Sequence, residues 1–137
     1  MKWVPKIWGG EEWIVNNHLY CGKKLLLKKD HHCSFHYHKD KHETFYVECG
    51  RVLILYSYDD ALQKSDTDLI LGVDEKEIRI KNTEVVGDYS RYILEAGQSL
   101  EIPRRLRHLF FGLTNSYIYE FSTHHEDSDS YRLTESS

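Results

Sequence analysis

Apolar residues in this chain do not recur on a helical period over any useful length. They gather in short β-branched or aromatic runs separated by turn residues, a pattern that predicts many short strands and a sandwich or barrel. The first strands are read at 13–15 and 23–28, and others at 34–38, 43–49, 99–102, 107–112 and 117–122. The run 51–58 is the most apolar and is expected to be buried on both faces. Residues 59–92 are more polar and read as an excursion between two halves, with a strand pair around 68–71 and 77–80. The segment 125–137 is acidic and Ser-rich, and its end is expected to be loose. A chain of 137 residues fits one domain spanning 1–137 and can bury a core without disulfide staples.

Composition excludes some function classes. A formal net charge of −4 argues against nucleic acid as a partner, because phosphate binding wants a basic face. Apolar runs such as Val52-Leu53-Ile54-Leu55-Tyr56 are far shorter than the roughly 20 residues that cross a bilayer, and the first residues carry no apolar leader. Cys21, Cys33 and Cys49 have no paired spacing, so reduced thiols in a cytoplasmic setting are expected. Nine histidines, by contrast, invite metal or acid–base chemistry.

The stretch His36-Tyr37-His38-Lys39-Asp40-Lys41-His42-Glu43 is the most informative one. Residues two apart on a strand share a face, so His36 and His38 point the same way. Four residues, enough for a tight turn, separate His38 from Glu43. Beyond the turn, Glu43, Phe45, Val47 and Cys49 share a face that is apolar after its first member, so Glu43 should point inward beside the imidazoles. His42 has the opposite parity and should face away. Two imidazoles and a carboxylate suit Mn²⁺, Fe²⁺, Zn²⁺, Co²⁺ or Ni²⁺, with Mn²⁺ first among them. His108, in a strand after Ile102-Pro103, is the candidate fourth ligand. The trio His124, His125 and Glu126 reads as a solvated loop, and His31 and His32 as rim residues.

These residues resemble the two motifs of the cupin family. His36, His38, Glu43 and Gly50 stand at the spacing of the first motif, and Gly97, Pro103 and His108 at that of the second. Asp30 stands where the first motif has its leading Gly, Arg105 replaces the Gly of Pro-x-Gly, and Gly112 replaces the final Asn. The resemblance implies an all-β double-stranded β-helix, or jelly-roll barrel, often dimeric, so a homodimer is expected. Trp8-Gly9-Gly10-Glu11 is similar to the entry of type II phosphomannose isomerase cupins. Lys41, two residues before the Glu ligand, and Glu120-Phe121-Ser122-Thr123 followed by Asp127 and Asp129 resemble D-lyxose isomerase-like cupins more closely.

Aldose–ketose isomerisation needs a Lewis acid at the sugar oxygens, a base near C2 and a cation for developing oxyanion charge. Lys41 is the candidate cation. Glu120 is the candidate base, with aromatic neighbours expected to desolvate it and raise its pKa. Arg105 and Arg107 are candidates for gripping a phosphate or carboxylate, and Asp127 and Asp129 are further candidates for substrate binding. The function expected is a metal-dependent isomerase of a small sugar or sugar phosphate. A non-catalytic sugar- or nucleotide-sugar-binding module and an Fe²⁺ dioxygenase remain open beside it.

Overall fold

The computed structural model describes residues 2–137. In chain order the strands are β1 (Lys2–Lys6), β2 (Gly9–Asn16), β3 (Cys21–Leu27), β4 (His36–Tyr37), β5 (Glu43–Cys49), β6 (Arg51–Ser57), β7 (Leu62–Lys64) and β8 (Leu69–Val73). They continue as β9 (Lys76–Ile80), β10 (Thr83–Val85), β11 (Ser90–Glu95), β12 (Ser99–Ile102), β13 (Arg107–Gly112), β14 (Ser116–Ser122) and β15 (Tyr131–Arg132). One 3₁₀ turn, Asp127–Asp129, precedes the last strand. No helix among the described residues is long and apolar enough to cross a membrane.

Two antiparallel sheets carry the fold, one ordered β1-β2-β3-β14-β5-β12 and the other β11-β6-β13-β4-β15. Their inner faces meet across a shared core, where Phe45 of β5 stands edge-on to Phe110 of β13 at 5.9 Å between ring centroids. This is the jelly-roll cupin fold expected from the two motifs.

The inner face of the larger sheet divides into two zones. Strand periodicity sends alternate residues inward, and the register aligns Leu25, Ile118 and Val47 in one buried apolar row. The next row along is Lys23, Glu120 and Phe45, and beyond it Cys21, Ser122 and Glu43. One end of the barrel is thus closed by hydrocarbon, and the other is lined by charged groups held by that same packing.

Val52, Leu53, Ile54 and Leu55 of β6 are all at most 1% exposed, as a strand covered on both faces requires. The second cover comes from the excursion. Its β8–β9 hairpin pairs Leu71 with Ile78, and both residues join the same core cluster.

The turns explain the departures from the motif glycines. Asp30 and Arg105 both have left-handed backbones, φ 65° and 71°. The conformation that glycine would take easily is kept here at a cost of roughly 1–2 kcal/mol for an L-residue. Arg105 N–H donates to His38 O at 2.7 Å, so this turn ties the second motif to the first.

The C-terminal segment is not loose. Tyr131 and Arg132 pair with Tyr37 and His36. Ser137 and His32 exchange both backbone hydrogen bonds, at 2.7 and 2.9 Å. Thr134 Oγ1 accepts from Phe35 N–H at 2.8 Å. The acidic, Ser-rich composition concealed a strand, because its stability comes from backbone pairing and not from buried apolar side chains.

Candidate active site

His36 and His108 are register partners on β4 and β13, and His38 follows one residue after β4. Each imidazole donates from Nδ1 to a backbone carbonyl: His36 to Ser34 O at 2.7 Å, His38 to Asp129 O at 3.0 Å and His108 to Leu106 O at 3.0 Å. Those bonds fix the tautomer and leave Nε2 as a lone-pair donor. The three ligand atoms lie within 4.8 Å of one another. Glu43 adds Oε1, 2.9 Å from His38 Nε2 and 3.9 Å from His108 Nε2.

Electrostatics make this a cation site. Burial holds His36 well below the usual imidazole range, with neighbouring His108 and His38 adding to the effect. Burial likewise lowers His108. For Glu43 burial alone would raise the pKa, but the Lys41 ammonium, followed by His38 and His108, holds it well below the usual carboxylate range. With each Nδ1 turned to a backbone carbonyl, the three Nε2 atoms and the Glu43 carboxylate converge on one point. Glu43 Oε1 and His108 Nε2 are buried without hydrogen-bond partners. Such orphans typically cost about 1–3 kcal/mol each, a cost that a shared divalent cation removes. The three histidines could hold a metal ion, and Glu43 is placed to complete the set.

Lys41 is 3% exposed. Its Nζ lies 3.1 Å from Glu120 Oε2, 3.5 Å from Glu43 Oε1 and 3.0 Å from His125 Nδ1. Burial alone would lower its pKa, but Glu120 and then Glu43 hold it above the usual lysine range. Lys41 therefore links the metal-facing carboxylate to the second one. Ser122 Oγ also donates to Glu120 Oε2, at 3.3 Å, so both contacts fall on that oxygen. Glu120 is buried by the barrel interior and not by its chain neighbours. Phe121 faces outward at 57% exposure, as strand parity requires.

The remaining candidates separate. Asp127 lines the cavity and accepts from His125 Nε2 at 2.9 Å. Asp129 turns its carboxylate onto the backbone N–H groups of Lys39, Asp40 and Lys41, at 2.9 to 3.2 Å. It clamps the turn that carries Lys41, while its own carbonyl orients His38. Arg105 and Arg107 are not brought to the cavity. Arg105 is exposed on its turn. Arg107 is held by Asp60 at 2.8 Å and over the Tyr37 ring at 3.8 Å. His42 faces away, as expected, and meets Glu101 at 2.7 Å.

Among the cavity residues that escaped the sequence reading, His125, Lys23 and Glu11 carry the most charge chemistry. His125 is buried and bonded to both Lys41 and Asp127, where a solvated loop was expected. Lys23 and Glu11 line the same cavity as an ion pair at 3.3 Å. A signal for Lys23 did exist, since it shares strand parity with the apolar Cys21, Leu25 and Leu27.

With this geometry in view, comparison with known proteins is decisive on family. A D-lyxose isomerase family model matches residues 10–136. The chain belongs to the D-lyxose isomerase family. No curated protein sequence matches it. Among solved structures it is similar to the capsular polysaccharide assembling protein CapF from Staphylococcus aureus, with TM-score 0.65, 15% identity, and coverage of 97% of this chain and 34% of that one. An oxalate decarboxylase mutant from Bacillus subtilis gives TM-score 0.67, 13% identity, and 96% and 30% coverage. KdgF from Halomonas sp. gives 0.59, 12%, and 93% and 90%. These likenesses show a shared cupin fold. The chain spans about a third of the length of the CapF and oxalate decarboxylase chains.

Proposed function

We propose that this chain is a metal-dependent aldose–ketose isomerase acting on a small sugar. The observation that carries the reading is the buried Lys41 ammonium, lying between Glu43 on the histidine side and Glu120 on the other, at 3.5 and 3.1 Å. A metal site alone would serve many cupin chemistries. A paired base and cation beside it match what proton transfer between adjacent carbons demands, and favour turnover over simple binding or dioxygenation.

His36, His38, Glu43 and His108 would hold the metal, Mn²⁺ being our first choice for a set of imidazoles and one carboxylate. When bound, it supplies Lewis acidity at the sugar oxygens. Glu120 takes the proton from C2 of the open-chain aldose as the C1 carbonyl oxygen gains negative charge. Lys41 donates a hydrogen bond to that oxygen and steadies the enediolate. Glu120 then returns the proton to C1, while the O2 hydroxyl proton passes to O1, leaving a ketone at C2. Its Oε2 is occupied by Lys41 and Ser122, which leaves Oε1 for this work. Asp127 would act through His125, and Asp129 by positioning Lys41. Arg105 and Arg107 have no part in this reading. The unpaired thiols of Cys21, Cys33 and Cys49 suit a reducing, cytoplasmic setting.

The test is Mn²⁺-loaded protein assayed on a panel of free and phosphorylated aldoses in heavy water. Aldose–ketose interconversion with deuterium entering the product at C1 is expected. Substrate binding without interconversion of any pair would refute the reading.

A further inference from the structure

The row of residues that begins at His36 and His108 continues across the smaller sheet to Tyr56 of β6 and Ser90 of β11. Beyond His108 it reaches a second concavity of about 410 Å³, which shares no lining residue with the histidine cavity. Pockets that hold small ligands run from roughly 300 to 1,000 Å³. Three tyrosines line this one, Tyr56, Tyr58 and Tyr89, together with Pro103 and the buried Leu106. Tyr58 is 64% exposed, an uncovered aromatic ring at the edge of the concavity.

The polar part of the lining has one sign. Asp59 and Asp88 are both exposed on it, and no Lys, Arg or His side chain lines the concavity. Among the described residues neither carboxylate has an ion-pair partner, whereas the adjacent Asp60 is taken by Arg107 at 2.8 Å. Arg104, next to Pro103, is turned away and donates from Nε to Asp40 O at 2.8 Å. A single hydroxyl fixes the two acidic segments: Ser57 Oγ donates to Asp88 O at 2.7 Å and accepts from Asp59 N–H at 3.0 Å. Both carboxylates are therefore carried on backbone that is tied down beside the tyrosines before any ligand arrives. Such a lining repels an anion, and a purely apolar ligand leaves its two charges unanswered. A planar cation answers both, since it stacks on aromatic faces and forks its donors to carboxylates.

We infer that this concavity is a binding site for a small alkylguanidinium compound, with the planar head among the tyrosines, Asp59 and Asp88 and the alkyl stem on Pro103 and Leu106. A guanidinium suits the lining better than an ammonium, because its five donors lie in one plane and reach two carboxylates while its face covers a ring. The volume holds a free molecule of this size, and the stem finds the apolar surface that a compact inorganic cation would leave bare. The site does not depend on the isomerase reading, since none of its residues belongs to the metal set or the proton-transfer pair.

The experiment is calorimetric titration of the full-length protein in excess Mn²⁺, so that the histidine cluster does not compete for the cation. The probes are n-butylguanidinium, its near-isosteric neutral counterpart n-butylurea, and a blocked glycyl-arginyl-glycine peptide. Wild type should bind butylguanidinium with a Kd of about 1 mM or tighter, the range open to a ligand of this size. Butylurea should bind at least about tenfold more weakly, because it keeps the shape and loses the charge. The double variant Asp59→Asn/Asp88→Asn and the single variant Tyr58→Ala should each weaken butylguanidinium about 3- to 10-fold. All three positions are exposed, so melting temperature and metal content should stay at wild-type values. Added salt should weaken binding to wild type and not to the double variant. Equal affinity for butylurea would reduce the site to an apolar hollow and overturn the inference. Unchanged affinity in both variants, or a wild-type Kd above about 10 mM, would do the same. Peptide binding more than tenfold tighter than butylguanidinium would make the concavity a protein-docking surface and overturn the small-molecule assignment.

Discussion

Glu43 and His108 present the sharpest problem at the residue scale, since each buries a lone-pair atom with no hydrogen-bond partner. A divalent ion solves it for both at once. His36→Ala or His108→Ala should therefore lose the metal, read by elemental analysis, while circular dichroism stays β-rich. Full occupancy in both variants would remove these residues from the site. Glu120 sets a different test, because its shape and its basicity can be separated. Glu120→Gln should retain metal and sugar binding and lose about 10²–10⁴-fold in kcat, the usual contribution of a positioned proton-transfer group. An unaltered kcat would reject it as the base.

Among the elements, the C-terminal strand and the turn before it do the least expected work. Asp129 takes the amides of Lys39, Asp40 and Lys41 onto one carboxylate and orients His38 with its carbonyl. Asp129→Ala leaves the carbonyl but frees the amides. Thermal unfolding should show a loss of about 1–3 kcal/mol, the range for unpairing partly buried hydrogen-bond donors. Because Lys41 rides on that turn, kcat should fall with metal content largely kept. A variant with wild-type stability and kcat would show that the clamp is dispensable.

The whole molecule carries its buried charges into its pH response. His36 and His108 are held below 6.5 by burial, so between their folded values and 6.5 the unfolded chain binds more protons than the folded one. Their contribution is present above 6.5 and is lost as pH falls. Glu43, held below 4.5, adds stability above that value that is lost on further acidification. Lys41, held above 10.5, contributes below that value and loses its contribution as pH rises through its folded pKa. Burial holds the Cys21 and Cys33 thiols above 9.0, so they too lose their contribution as pH rises past that value and the unfolded thiols ionise. Metal-free protein should therefore show a flat melting temperature from about pH 7 to 8, with an acid decline beginning near neutrality and an alkaline decline from about pH 9. A melting temperature unchanged between pH 7 and 5 would contradict this. The outer surface suggests one further property. Trp3, Ile7, Ile14 and Phe121 are each about half exposed on or beside the larger sheet. We propose that a homodimer covers part of this face, and light scattering at working concentration should return twice the chain mass of 16.3 kDa.

The bounds of β5 and β13, the double burial of β6 and the inward aim of His36, His38 and Glu43 were all legible in the sequence. Each follows from a period of two and from turn chemistry, which are local properties. The left-handed Asp30 and Arg105 were visible only as departures from a glycine pattern, and the backbone shows the turns kept their shape. Other features were decided by tertiary structure alone. Lys41 meets Glu120 from 79 residues away, and His38 meets Asp129 from 91. His125 looked solvated because its neighbours are polar, yet the chain folds it beneath β2, where Asn16 holds its backbone at 3.0 Å. Strand parity says which way a side chain points, but not which strand will lie opposite it. That pairing is set by how two sheets close over one core, and here it converts scattered charges into a site.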